Sequence, residues 1–322
     1  MLHWIKRLAA VSAVALLAAC GSGDDDPAPP GTLAEVATSS GFSALVAAAD
    51  KAGLVPALND NAASLTVFAP TDAAFASLAS TLGFPSAAAM VTALDGPTLA
   101  KILQYHVLPS KKVAADLVAG GATQPTLYAF EGAPTTLALN TSSGVRITDE
   151  VLTDAMVTTA DVAASNGVIH VIDKVLVPPG VLNIVQMAQL NPAFSILVEA
   201  VVTANLAATL SGGGPLTVFA PTNDAFAAAL TELGVTKDQL LADPGLAGVL
   251  TYHVVAGDVR AADVVALTKP ATVTTVQGDT FSVGTDLGII DGRSRVATLL
   301  ATDVVASNGV IHVIDKVILP PL

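Results

Sequence analysis

Beyond His3, the chain carries four histidines, and they fall at matching places in its two halves: His106 and His170, then His253 and His312. Imidazole changes charge near neutral pH and is the commonest metal ligand, so a repeated histidine raises the question of chemistry. His106, His170 and Asp161 are ligand types that suit a divalent transition metal. The two histidines are far apart in sequence, however, and nothing in the spacing brings them together. A hydrolytic triad fares no better, because Ser165 beside Asn166-Gly167 has no G-x-S-x-G elbow around it. Neither G-x-x-x-x-G-K-[ST] nor G-x-G-x-x-G occurs, and Gly212-Gly213-Gly214 precedes a β-rich run where a phosphate cradle would follow one. These residues predict no catalytic set, no metal site and no cofactor, and the expectation is a protein that is not an enzyme.

The elements that must hold the histidines account for them more simply. The string ASNGVIHVIDKV occupies 164–175 and returns unchanged at 306–317. In a strand Val168, His170 and Ile172 share one side and Ile169, Val171 and Asp173 the other, so both faces are mostly apolar. A histidine there must find a hydrogen-bond partner or bear a desolvation cost, which predicts His170 and His312 as satisfied structural residues. Ser165-Asn166-Gly167 reads as a turn in which Asn and Gly tolerate positive φ. Tyr105-His106 ends an amphipathic run of Pro97, Leu99, Ile102 and Leu103, which predicts one buried ring and one hydrogen-bonded imidazole. The other reading of that pair is an exposed contact for a partner.

Around these segments helical spacing comes early and strand patterns late. Phe42, Leu45, Val46 and Ala49 suit an amphipathic helix. Leu65 to Phe68 is a short β-rich run, and Thr71 or Asp72 can cap the helix after it. Thr136 to Leu139, Val145 to Thr148, Met156 to Thr159 and Val168 to Ile172 read as strands. That segregation argues for an α+β fold. The same order runs twice: TVFAPT at 66–71 returns at 217–222, and Tyr105-His106-Val107 as Tyr252-His253-Val254. The chain is a tandem duplication whose unit is long enough to be a domain. Val177-Pro178-Pro179-Gly180 is the expected joint, dividing domains at 31–179 and 180–322.

Composition narrows the partners. With 14 basic and 27 acidic residues in 322, the formal charge is -13, which opposes phosphate-backbone binding and argues against nucleic acid. Lys6 and Arg7 precede an uncharged run from Leu8 to Ala19 that rises about 18 Å as a helix, short of a ~30 Å hydrocarbon core. Residues 1–19 therefore read as an export signal. Leu17-Ala18-Ala19-Cys20 resembles a bacterial lipobox, which implies lipidation of Cys20, the sole cysteine, and the following Gly21 resembles outer-membrane cargo. Residues 20–30 read as an acidic, proline-rich flexible tether, with Asp24, Asp25 and Asp26 a solvated charge run.

The three repeated anchors together resemble the fasciclin domain. TVFAPTDAAF and TVFAPTNDAF are similar to its first box, the Tyr-His pairs to its central motif, and SNGVIHVIDKV with its double proline to its second box. The resemblance implies two wedge-shaped β-sandwiches with helices packed on one side. It implies a role in adhesion or matrix attachment, with a protein or glycan of a cell surface or matrix as partner and the membrane reached through the lipid anchor. The alternative function is a periplasmic module binding a glycan or small ligand. An Asp-Ile pair before the second box is implicated in partner binding in animal members; here it is matched by Asp161-Val162 and Asp303-Val304, with the isoleucine replaced. Tyr105, His106, Tyr252 and His253 match a second motif implicated in adhesion.

Overall fold

The computed structural model describes residues 29–142, 144–266, 270–284 and 288–322. The signal, Cys20 and the acidic run of the tether lie outside the described residues.

The first unit runs α1 (Leu33–Ser39), α2 (Ser43–Lys51), α3 (Val55–Leu58), β1 (Leu65–Pro70), α4 (Asp72–Thr81), α5 (Ala87–Ala93), α6 (Gly96–Tyr105), β2 (Val107–Leu108) and α7 (Ala114–Ala119). It continues with β3 (Thr123–Phe130), β4 (Ala133–Asn140), β5 (Arg146–Thr148), β6 (Asp154–Ala164) and β7 (Gly167–Ile172). Oxygen-bearing side chains start the helices, at Thr71 where the sequence places a cap and at Thr32 and Asp95 where it did not. Thr32 caps α1 in a reciprocal box with Glu35, the Thr71 hydroxyl accepts the Ala74 N–H, and Asp95 caps α6 with Pro97 in its first turn.

The strands pair in the order β2-β1-β7-β6-β5-β4-β3, and β1 and β7 run parallel to each other between β2 and β6. Period-two alternation gives this pair two different cores. Val67, Ala69 and Ile169 face the helices and pack with Leu45, Phe75 and Leu103, while Phe68 and Ile172 face inward onto Leu137, Ile147 and Tyr128. The sheet is thus half of a sandwich on one side and the floor of a helical layer on the other. This is the α+β wedge the sequence predicts.

The second unit repeats the plan: α8 (Ile184–Leu190), α9 (Ser195–Thr203), α10 (Ala207–Ser211), β8 (Leu216–Pro221), α11 (Asn223–Leu233), α12 (Lys237–Leu241), α13 (Leu246–Tyr252), β9 (Val254–Ala256) and α14 (Ala261–Ala266). Then come β10 (Ala271–Thr274), β11 (Thr280–Val283), β12 (Ile289–Ile290), β13 (Val296–Ala297), β14 (Leu299–Ala306) and β15 (Gly309–Ile314). Among the described residues these strands form two four-stranded sheets, β10-β11-β12-β13 and β14-β15-β8-β9.

The repeated string is a turn in both copies, reached in two ways. In the first copy neither Asn166 nor Gly167 adopts a positive φ, whereas in the second Gly309 does, at 147°. Asn166 is buried and acts as a hub: its side-chain oxygen accepts the Leu33 N–H at 2.8 Å, and its amide donates to the Leu58 and Asp60 carbonyls at 2.9 Å each. Asn308 does the same for Ile184, Leu210 and Gly212. Gly167 is required by proximity, since a Cβ there would lie 2.3 Å from the Leu65 carbonyl oxygen of the parallel neighbour. Ser165 donates its N–H to the Gly31 carbonyl at 2.9 Å, which ties the start of the described chain to this turn.

The two units share a joint. Val151 and Val177 of the first belong to the apolar core of the second, and Val181 and Leu190 pack back against the helical core of the first. Tyr128 donates its hydroxyl to the Pro179 carbonyl at 3.1 Å, and the Gly180 N–H reaches the Val305 carbonyl at 3.0 Å. Arg260 bridges to Glu131 across the seam at 3.1 Å.

Candidate functional site

Asp161 and Asp303 occupy the same irregular point in the two copies. Strand β6 shifts register between Thr159 and Val162 where it pairs with β7, and β14 does so between Ala301 and Val304. At each bulge the aspartate adopts a left-handed backbone, φ 60° at Asp161 and 58° at Asp303, a conformation Asp tolerates better than most residues. The carboxylate then turns back to accept a helix N-terminal N–H at 2.8 Å, from Ala114 of α7 in one copy and Ala261 of α14 in the other. The aspartate N–H donates to a histidine Nδ1 at 3.3 Å, His170 or His312. Each of those rings donates from Nε2 at 2.9 Å, to the Lys112 or the Val259 carbonyl, and stacks at a tilt beside Phe68 or Phe219.

His170 and His312 are therefore braces under the bulge, with both ring nitrogens engaged. His106 and His253 are engaged likewise. Nδ1 donates to the Ile102 or Val249 carbonyl at 2.7 and 2.8 Å, and Nε2 accepts the Leu176 or Ile318 N–H at 2.8 and 3.0 Å. Burial pushes both down to about 4, so the neutral imidazole is the form the fold holds. Tyr105 and Tyr252 are buried beside them, and the Tyr252 hydroxyl donates to the Thr280 carbonyl at 2.8 Å. The motif match placed Tyr105, His106, Tyr252 and His253 among adhesion residues; in the structure all four lie inside, with no face for a partner. A metal on His106, His170 and Asp161 has no imidazole lone pair to use, and among the described residues no group of three His, Cys, Asp or Glu is placed to hold an ion.

The two aspartate motifs are equal in backbone and unequal in setting. Asp161 keeps 46% of its side chain exposed, and its neighbours from Thr158 to Ala160 are exposed too. Asp303 is half-buried, and Val304 is fully buried in the second core, against the joint. Val162 is half-buried. The expectation of two matching contact pairs thus reduces to one accessible corner, Asp161, with Asp303 and Val304 drawn into the seam by packing against the first unit.

Two acidic residues that spacing did not single out matter here. Glu150 accepts the Val305 N–H at 2.6 Å across the joint, and burial pushes its carboxyl up to about 7. Asp149, deeper, is raised by burial against the pull of Lys174, which bonds its Oδ2 at 2.7 Å. Its counterpart Asp291 is held below the usual range: burial opposes this, but N–H donors from Leu319, Arg295 and Arg293 and the Arg295 guanidinium outweigh it. The only sequence signal for this pair was the repeat register, which sets Asp149 against Asp291 and Glu150 against Gly292.

Comparison with known proteins fits this architecture. The model of the fasciclin domain matches residues 40–178 and 192–320. Protein sll1483 of Synechocystis is 46% identical over 145 residues, 44% of this chain and 75% of that protein. The transforming growth factor-beta-induced protein ig-h3 of Sus scrofa is 31% identical over 265 residues, 80% of this chain but 35% of that longer protein. The cell surface glycolipoprotein MPB83 of Mycobacterium bovis is 36% identical over 142 residues, 41% of this chain and 57% of that protein. A solved FAS1 domain pair from the insect cell adhesion molecule fasciclin I aligns over 88% of this chain and 95% of its own, with a TM-score of 0.45 and 19% identity. With both copies matched by the family model over most of their length, the chain belongs to the fasciclin family.

Proposed function

We propose that this chain is an exported, lipid-anchored adhesion or matrix-interaction protein of the cell envelope, held through Cys20 at the outer membrane, and that it is not an enzyme. Its parts in this reading are a signal at 1–19, a tether at 20–30 and domains at 31–179 and 180–322. The observation that carries the reading is the exposed Asp161 corner. A left-handed backbone presents the carboxylate, a helix N-terminal N–H binds it, a buried histidine accepts the backbone N–H beside it, and among the described residues nothing covers it. Such a preorganised single charge suits recognition of a protein or glycan surface, because little ordering is left to do on contact.

The test is capture of a partner from envelope or matrix fractions by the soluble mature chain, repeated with Asp161→Asn. Asparagine keeps an acceptor for the Ala114 N–H and removes the charge, so the fold is expected to survive while capture falls at least tenfold. Equal capture by the variant would remove Asp161 from the reading.

A second reading, binding of a small apolar ligand, is favoured by a cavity of about 200 Å³ in the first unit, walled by Leu45, Leu54, Leu58 and Leu103. The matching space in the second unit is about 40 Å³. Val185 and Val201 there stand where the first unit has Ala34 and Ala49.

A further inference from the structure

The structure contains the same inter-unit face twice and covers it once. Asp149 and Asp291 establish the correspondence, since each accepts an N–H at 2.9 Å from the residue before its double proline, Val177 or Leu319. Counting from them, Val151 of the first unit matches Arg293 of the second, and counting from the caps Thr71 and Thr222, Leu82 matches Leu233. In the first unit this face is the joint. Val151 and Val177 are sealed into the neighbouring core, Leu82 packs against both cores, and the amide of Asn191 donates to the Val151 carbonyl at 2.9 Å. What covers it is a short polypeptide segment: Val181 leading in, helix α8, then Leu190 and Asn191 at its end.

In the second unit the same face is open among the described residues. It forms a recess of about 430 Å³ whose floor includes Phe226, Val249 and Leu319 and whose rim carries Leu233, Asp243 and Arg293. That volume is within the range of a binding pocket, about 300–1,000 Å³. Leu233 is 39% exposed here, large for a leucine at the end of an amphipathic helix. Arg293 is exposed and donates from Nε to the Pro320 carbonyl at 3.2 Å.

We propose that this recess is a docking site for a helical segment of another polypeptide, built like Val181–Asn191, with apolar residues at both ends and a carboxylate placed to meet Arg293. The cover already present in the first unit supplies the shape. The change from Val151 to Arg293 supplies the charge, because an apolar wall has become a cationic one that favours an acidic partner residue. A second copy of this chain does not meet the requirement. At the places of Val181, Leu190 and Asn191 its own leading segment has Pro30, Ser39 and Ser40, which offer neither apolar end.

The test uses the mature chain and a fluorescent peptide of residues 180–194, in its native sequence and with Asn191→Asp. The first unit's face is closed by its own chain at high effective concentration, so the peptide has the second unit's recess to find. Saturable binding is expected, several-fold tighter for the Asp peptide. Leu233→Glu in the chain should weaken both peptides at least tenfold, and Arg293→Gln should abolish the advantage of the Asp peptide alone. Both substitutions lie at exposed positions, and an unchanged melting temperature shows that the fold is intact. Absence of saturable binding, binding indifferent to Leu233→Glu, or concentration-dependent self-association of the chain that Leu233→Glu abolishes would each overturn the proposal.

Discussion

His106 and His253 sit in the fold as neutral rings, and protonating either breaks the bond that its Nε2 accepts from a backbone N–H. Their folded values near 4 lie below the ordinary 6.5. The unfolded chain therefore takes up protons first as pH falls, and stability is lost between about 6.5 and 4, by up to about 3 kcal/mol for each ring. Glu150 acts in the opposite sense. Raised from 4.5 to about 7, it makes the folded state give up its proton late, so its contribution declines as pH rises from 4.5 to 7 and stays low above that. Glu150→Gln keeps an acceptor for the Val305 N–H and is expected to stabilise the protein at pH 8, by on the order of 1 kcal/mol, with little change at pH 5. Urea midpoints at the two pH values check both claims; a variant equally shifted at both would show that Glu150 ionises normally. His170→Ala should lower stability by about 2–3 kcal/mol, since it orphans the Asp161 N–H and the Lys112 carbonyl and leaves a void against Phe68.

Among the elements, β7 and β15 were the most legible in the sequence, and the reason is physical. A strand packed between two cores must be apolar on both faces, and GVIHVI says so in six letters. The cap at Thr71, the start of α6 at Pro97 and the late strands follow from local rules as well. Strand β3 was not legible, because Pro125 within TQPTLYAF argues against a strand and only its pairing with β4 overrides that. The role of Asn166 was hidden too, as its partners Leu33, Leu58 and Asp60 are far away in sequence. Gly167 gives this scale its prediction. With β1 at its back, Gly167→Ala should force the parallel pair apart and cost more than about 3 kcal/mol, seen as a large fall in melting temperature. A fall of a degree or two would mean the strands can shift to make room.

For the whole molecule, the duplication was legible from three anchors, while the packing of one unit against the other was not. The anchors are the positions where the copies agree, whereas the joint is made where they differ: Glu150 against Gly292, Val151 against Arg293, and Leu190 against Ser39. For the same reason Asp161 and Asp303 stand equal in the repeat, and only packing separates them. Because Val151 and Val177 belong to the core of the second unit, the two units are expected to melt together, as one calorimetric transition at pH 7; two resolved transitions would mean the shared core adds little. Cys20→Ser is expected to abolish acyl labelling of the exported chain, and retained lipid would refute the anchor. The bond between Gly31 and Ser165 has a mechanical consequence. A pull applied at residue 31 reaches the β6–β7 turn directly, and Asp161 is four residues from that turn. Tension between the tether and a partner held at Asp161 would run through that turn and the end of β6 in the first unit, while the second unit hangs outside the line of force.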